Sequence, residues 1–159
     1  MEDYAAHPPP PSPPTTGDAR VVAACHDRVV HRELPGDGVA GPAANYALAV
    51  VSDGPRRLLH TSGIVPITPD GTVPSGVADQ AEVVWTSILV LLTEADMVPT
   101  DVVSVTTYVV ADLADELGVV MAARDRYLGG HRAASTLVTV PRLARPEWLL
   151  EVAIVAAAG

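Results

Sequence analysis

Apolar residues recur along 77–95 at spacings of three and four, which is the period of an amphipathic helix. The stripe consists of Ala81, Val84, Trp85, Ile88, Leu91, Leu92 and Ala95. Ser75 or Asp79 is positioned to cap this helix, and Asp79 with Glu82 fits a capping box. Further apolar residues lie off the stripe, so we expect the helix to be covered on more than one side.

A second helix is predicted over 113–128, with Asp112 or Asp115 as its cap and Gly129-Gly130 at its end. Its expected inner face holds Leu113, Leu117, Val120, Met121, Arg124 and Leu128. Between the two helices, the run 102–111 is rich in β-branched residues, which a half-buried strand favours.

Two hairpins are predicted at the ends of this helical region. Residues 46–52 and 57–64 flank an Asp-Gly turn, which supplies the conformations that a tight connection requires. Residues 131–155 contain two apolar runs joined by the connection 141–147. An edge strand or short hairpin is also expected within 19–34.

The order strands, helix, strand, helix, strands predicts an α+β fold, with one mostly antiparallel sheet and two helices packed on one face. The 159 residues allow a single domain, expected over 19–159. Residues 1–18 are predicted to be a disordered tail because prolines dominate positions 8–14, and a docking role is the alternative to a passive tail. Tyr108 and Trp148 would leave the other sheet face apolar, so oligomerisation is expected.

Charge and composition narrow the function classes. A formal net charge of −9 disfavours nucleic acid and anionic membranes as partners, because phosphate binding needs a basic face. All of the basic residues are Arg, which excludes Schiff-base chemistry on Lys. The single cysteine, Cys25, cannot form an internal disulfide. With neither a transmembrane run nor a signal-peptide pattern, the sequence predicts a cytoplasmic protein.

No cofactor and no metal are predicted. A Gly-rich phosphate loop is missing from the sequence, which disfavours nucleotide binding. His26, His31 and His60 do not follow the spacing of metal ligands.

Glu151 carries the clearest chemical signal in the chain. It stands within the apolar run of the last predicted strand, where an ionised carboxylate is costly unless a partner or a reaction uses it. One interpretation is a general acid/base. The other is an acid that is hydrogen-bonded at a subunit boundary.

Several short motifs together resemble the Rid family, also called the YjgF family, over residues 41–155. They are Gly41-Pro42, Asn45-Tyr46, Thr61-Ser62-Gly63-Ile64-Val65-Pro66, Pro69-Asp70-Gly71, Gln80-Ala81, Asp101-Val102-Val103, Tyr108-Val109, Arg145-Pro146-Glu147 and Leu150-Glu151-Val152. The resemblance implies a chorismate-mutase-like fold and a homotrimer with clefts at the subunit interfaces. It also implies hydrolysis of reactive enamines and imines.

In the active deaminases that this chain resembles, a strand Arg grips the substrate carboxylate and a Glu on the last strand positions the attacking water. The resemblance assigns the Glu to Glu151, and the lining of the cleft to Tyr46 and to Ser62-Gly63. Trp148 either walls the cleft or simply packs, and the same alternative holds for Tyr46.

The chain departs from the family at the substrate clamp. Where the family has Pro-Ala-Arg followed by Ser or Thr, residues 133–136 read Ala-Ala-Ser-Thr, so Ser135 takes the position of the Arg. A hydroxyl cannot replace a bidentate guanidinium in charge or geometry. Ser135 and Thr136 are predicted to bind substrate or water, or else are plain strand residues. Arg132 could swing in as a substitute clamp, or remain a solvated loop residue.

Two further family positions differ, since Val120 replaces an Asn and Asp96 replaces a Gly. The leading prediction is a diverged trimer acting on a small reactive metabolite, less acidic than an amino-acid-derived enamine. The reaction would be enamine or imine hydrolysis or a related acid/base or hydrolytic step. The alternative is a non-catalytic trimeric small-molecule-binding protein.

Overall fold

A computed structural model describes residues 29–36 and 38–159 of the chain. The predicted tail at 1–18, Cys25 and the first part of the region 19–34 lie outside the described residues. The strands are β1 (Val30–Glu33), β2 (Val50–Asp53), β3 (Arg57–His60), β4 (Val102–Val110), β5 (Ala134–Val140) and β6 (Leu150–Ala158), and the α-helices are α1 (Val77–Glu94) and α2 (Leu117–Tyr127).

A four-stranded sheet in the order β3-β6-β4-β5 forms the centre of the fold. β6 is antiparallel to both β3 and β4, whereas β5 runs parallel to β4. A parallel pair needs a crossover connection, and α2 supplies it. Residues of both helices join β4 and β6 in one aliphatic core around Trp85. The predicted α+β class, with a mostly antiparallel sheet and the helices on one face, is confirmed.

Both predicted hairpins are wrong. The strands within 131–155 do not pair, because β4 lies between β5 and β6. Closeness in sequence favoured a hairpin, but the crossover through α2 places β5 on one edge of β4 and leaves the other edge to β6. Likewise β2 pairs with β1, and β3 pairs with β6, so the strands on either side of the Asp-Gly turn belong to different sheets.

The small β1-β2 sheet is tied to the central sheet through His31. The Nε2 of His31 donates to the carbonyl of Ala157 at 2.9 Å, and its Nδ1 lies 2.9 Å from the hydroxyl of Ser52. A second link is the parallel bridge between Ala47 and Ala134. These contacts place the segment before β2 beside the start of β5.

Helix α1 buries the stripe that its sequence period predicts, including Ala81, Val84, Trp85, Ile88 and Leu92. The predicted caps are wrong. Gly76 is the N-cap residue and no side chain caps the helix, since the chain becomes helical at Val77. Asp79 therefore lies within the first turn, where its negative charge interacts favourably with the helix dipole but its side chain does not cap the helix.

Helix α2 begins later than predicted, because Ala111–Glu116 forms a 3₁₀ segment. Leu113 in that segment has non-helical angles (φ −104°, ψ 21°), which separates it from the α-helix. Val120, Ala123 and Arg124 are buried on the inner face of the helix. Gly129 and Gly130 end it with φ of 60° and 79°, as predicted.

The two helices are fastened by Glu82. The Tyr127 hydroxyl donates to its carboxylate at 2.7 Å, and Arg126 forms an ion pair with it. These contacts, first the hydroxyl and then the guanidinium, hold the pKa of Glu82 below its ordinary value, although burial opposes them. No helix within the described ranges is long and apolar enough to cross a membrane.

Candidate functional site

The alternation of β6 decides where Glu151 stands. Leu150, Val152 and Ile154 are buried against the helices, so Glu151 projects from the opposite face, where it is half-buried. Its partner across the β4 pairing is Tyr108. The carboxylate therefore lies on the face of the sheet that carries no helix.

Residues 61–64 continue along β6 beyond β3 and bring Gly63 against Glu151. Ile64 and Val152 exchange both backbone hydrogen bonds, at 2.8 and 3.1 Å. A Cβ at Gly63 would overlap the Glu151 carboxylate and would lie 2.7 Å from its Cγ. Only glycine lets the carboxylate rest directly on this backbone. Ser62, the preceding residue, is exposed.

The Glu151 carboxylate takes part in none of the ion pairs formed among residues 29–36 and 38–159. A half-buried carboxylate without a compensating cation is free to accept a hydrogen bond or a proton from a molecule that reaches this face. The Glu151 carboxylate is therefore available to interact with a bound molecule.

The side chain of Ser135 belongs to the opposite face. Ser135 is in register with Val105, which is fully buried under the helices, and partners in a ladder share a face. Beside it, an open cavity of about 340 Å³ lies between β5, α2 and the segment before β2. Its lining consists of Tyr46, Met121, Arg124, Ser135, Thr136 and Leu137. Tyr46 reaches it because Ala47 donates to the carbonyl of Ala133 at 3.0 Å.

Arg124 is the site residue that sequence reasoning missed. It is only 6% exposed, and its Nη1 donates to the Ser135 hydroxyl at 3.1 Å. Its Nη2 donates to the carbonyl of Asn45 at 2.9 Å, and Nε and Nη2 both donate to Asp125 at 2.9 and 2.8 Å. The available signal was a charged residue on the inner face of a predicted helix.

Arg132 and Trp148 lie apart from both places. Arg132 donates to the carbonyl of Tyr46 at 2.7 Å and pairs with Glu33 at 3.1 Å, so it lines a neighbouring cavity of about 330 Å³. Trp148 is half-buried in the connection before β6, with the Arg145 guanidinium 5.6 Å from its ring centre. Substrate contacts by Arg132 and Trp148 stay predictions.

Gln80 fixes the connection that leads into β6. Its side chain is fully buried, and Nε2 donates to the carbonyls of Pro74 and Glu147 at 2.7 and 2.8 Å. Its Oε1 accepts the N–H of Leu149 at 2.8 Å. These bonds hold the chain just before Leu150, and so help to set the face on which Glu151 stands.

Most of the predicted site residues thus lie in two clusters with the sheet between them. We call Ser62, Gly63 and Glu151 the Glu151 cluster, and Tyr46, Arg124 and Ser135 the Arg124 cluster. Thr136 lines the edge of the cavity, but its register with Thr106 places its side chain on the face of Glu151. Within one chain the two clusters do not meet.

Comparison with known proteins identifies a family match over most of the chain. The profile of the family described as endoribonuclease L-PSP matches residues 39–158. No protein in the curated set matches the sequence.

Solved structures of related proteins have the same fold. The Rid protein YyfB from Yersinia pestis is 27% identical, with a TM-score of 0.71 over 80% of this chain and 98% of that one. The YjgF gene product of E. coli is 26% identical, with a TM-score of 0.58 over 75% and 90% of the two chains. E. coli TdcF with bound serine is 22% identical, with a TM-score of 0.59 over 76% and 91%.

Proposed function

The chain belongs to the Rid (YjgF) family, described as endoribonuclease L-PSP, and on that premise we propose that it acts on a small reactive metabolite in clefts between the subunits of a homotrimer. Family membership supports a small-molecule-related function in general. The specific reaction proposed is hydrolysis of an imine or enamine. RNA is a poor candidate substrate, because the net charge of −9 opposes the binding of a polyanion.

The observation that carries the proposal is the state of Glu151. Its carboxylate rests on the Gly63 backbone, is half-buried and enters no ion pair among the described residues. In the proposed step, water adds to the imine carbon while Glu151 accepts one of its protons. Glu151 passes that proton to the nitrogen, which gives a carbinolamine. The carbinolamine hydroxyl then loses its proton to the nitrogen through Glu151, the C–N bond breaks, and ammonia leaves while the carbonyl compound remains.

The separation of the two clusters supports a site between subunits. Because the sheet divides the Glu151 cluster from the Arg124 cluster, only a contact between copies can bring both to one ligand. Val138, on the same face as Glu151, is 40% exposed, and Leu58 on β3 is 58% exposed. Aliphatic side chains of this kind favour burial against a second copy.

A non-catalytic trimeric binding protein is the second candidate. Ser135, in place of the family Arg, favours it, because the guanidinium that grips the substrate in the active deaminases is missing from this position. Such a protein would keep the cleft and its ligand but release the ligand unchanged.

Substitution of Glu151 by Gln in the full chain tests the acid/base role. The amide is nearly isosteric but cannot accept the proton, so hydrolysis of imines generated in the assay should fall by about 10²- to 10⁴-fold. The trimer mass by light scattering and the melting temperature should not change. Glu147→Gln is the matched control, since that carboxylate is exposed and pairs with Arg145 at 3.8 Å.

Each outcome separates the candidates. Wild-type turnover in Glu151→Gln would refute the acid/base role. Ligand binding without turnover in the wild type would favour the binding protein, and a monomeric mass would exclude the shared cleft.

A further inference from the structure

The hydrogen bonds of Arg124 leave it little capacity to bind a substrate anion. Its Nε–H and both Nη2 hydrogens are taken by Asp125 and by the carbonyl of Asn45. One Nη1 hydrogen goes to Ser135. A single Nη1 hydrogen therefore remains without an acceptor among the described residues.

A carboxylate clamp is not compatible with this arrangement. Such a clamp uses two parallel N–H groups along one edge of the guanidinium. Asp125 occupies the edge formed by Nε and Nη2, while Asn45 and Ser135 take up the edge formed by Nη1 and Nη2. The Asp125 carboxylate also compensates the positive charge, so an incoming anion would gain little attraction and would face a like charge nearby.

The same arrangement suits a neutral oxygen. The Ser135 hydroxyl accepts from Arg124, which leaves its own hydrogen to donate. Together with the remaining Nη1 hydrogen it gives two donors, and the atoms that carry them are 3.1 Å apart. Two donors at that separation can converge on the two lone pairs of one carbonyl oxygen.

We propose that the Arg124 cluster binds the uncharged carbonyl oxygen of an amide- or ester-type substrate and discriminates against carboxylates. The cavity of about 340 Å³, with Met121 and Leu137 in its lining, offers apolar contact to the body of a small molecule. This inference rests on the proposed function and specifies its substrate class. Ser135 in place of an Arg is then a change of specificity and not a loss of binding.

Calorimetric titration of the full chain with 2-oxobutanamide and 2-oxobutanoate tests the proposal, because these probes match in shape and differ in charge. The amide should bind at least about tenfold more tightly than the acid. Ser135→Ala should weaken amide binding by about tenfold and leave acid binding unchanged. Thr139→Ala is the matched control, since it removes an exposed hydroxyl of the same strand.

A second variant tests the effect of the Asp125 charge, which compensates that of Arg124. Asp125→Asn keeps a hydrogen-bond acceptor beside Arg124 but frees its charge, so acid binding should rise by about tenfold while amide binding stays the same. Tighter binding of the acid than of the amide by the wild type would overturn the proposal, and so would no measurable binding of the amide.

Failure of this inference is distinguishable from failure of the proposed function. The lining residues of this open cavity come from a single chain, so the preference for the amide should persist in Glu151→Gln and in a monomer. A trimer that hydrolyses carboxylate imines through Glu151 would keep the proposed function and refute the neutral-carbonyl site.

Discussion

The two clusters on either side of the central sheet each contain a charged side chain, and the surroundings of these two charges are opposite. Glu151 is half-buried, enters no ion pair among the described residues and rests on a glycine backbone. Arg124 is buried, and Asp125, Ser135 and the carbonyl of Asn45 accept its hydrogen bonds. Both charges stand among apolar positions of a predicted element, although the sequence analysis singled out only Glu151. The comparison teaches that a charge among apolar neighbours costs free energy of folding. Where partners within the chain compensate the charge, its role is structural, and where they do not, the charge remains available for a reaction.

The sharpest way to break this comparison is to remove the satisfied charge. Arg124→Met would leave the Asp125 carboxylate and the Asn45 carbonyl without their donor, and should lower the free energy of unfolding by about 2–3 kcal/mol. Denaturant unfolding measures it. Arg126→Met, at an Arg whose side chain is 62% exposed, should cost under about 1 kcal/mol. Equal losses in both variants would contradict a structural role for Arg124.

The role of the Glu151 carboxylate can be tested by a substitution of Gly63, on whose backbone it rests. Gly63→Ala should push the Glu151 carboxylate off the backbone and lower turnover by about 10- to 100-fold, because a small displacement of a reacting group is costly. The carboxylate can rotate away, so unfolding free energy should change by under about 1 kcal/mol. Gly118→Ala is the control, since a Cβ there meets no atom within 4 Å and should stabilise α2 by about 0.5–1 kcal/mol. Full activity in Gly63→Ala would show that the carboxylate position does not matter.

A smaller effect is expected at Glu82, through which α1 contacts α2, the helix that carries Arg124. A carboxyl with a lowered folded pKa stabilises the fold above its unfolded pKa, and this stabilisation disappears as the pH falls through the folded pKa. Tyr127→Phe should raise the pKa of Glu82 toward its ordinary value and cost under about 1 kcal/mol at neutral pH, because water screens this 45% exposed carboxylate, with little cost in acid. Carboxyl NMR titration and urea unfolding at both pH values measure this. A loss that is independent of pH would argue against the Glu82 contact.

The smallest expected effect concerns the backbone conformation of Asp96. Asp96 is the only non-glycine residue with positive φ in the described ranges, at 52°. Asp96→Gly should relieve this conformation and raise the free energy of unfolding by up to about 1 kcal/mol, which thermal unfolding can resolve. Since the Asp96 side chain is 91% exposed and lines neither the cavity nor the Gly63–Glu151 contact, ligand binding should not change. A less stable variant would mean that the Asp side chain makes a favourable contact worth more than the strain.

Local patterns predicted much of this fold. The period of α1 and the β-branched run of β4 are properties of neighbouring residues, and both elements lie where the sequence predicts them. Strand pairing depends on segments far apart in sequence, which is why β5 and β6 were wrongly joined in a hairpin. The resemblance to the Rid family, which rests on the order of short motifs, predicted that Gly63 and Glu151 belong to one cleft. Arg124 was missed because a position on a helix face does not reveal which acceptors surround a guanidinium.

The pairing of β3 with β6 has a consequence for how the chain folds. Arg57 lies opposite Ala158, so about a hundred residues separate the two strands that this ladder joins. Closing so long a loop costs chain entropy and slows folding, and we expect the ladder to form after α1, β4 and α2 have assembled. The Gly63–Glu151 contact continues the same ladder through Ile64 and Val152. A chain emerging from the ribosome would therefore form the Gly63–Glu151 contact only after β6 has left the exit tunnel.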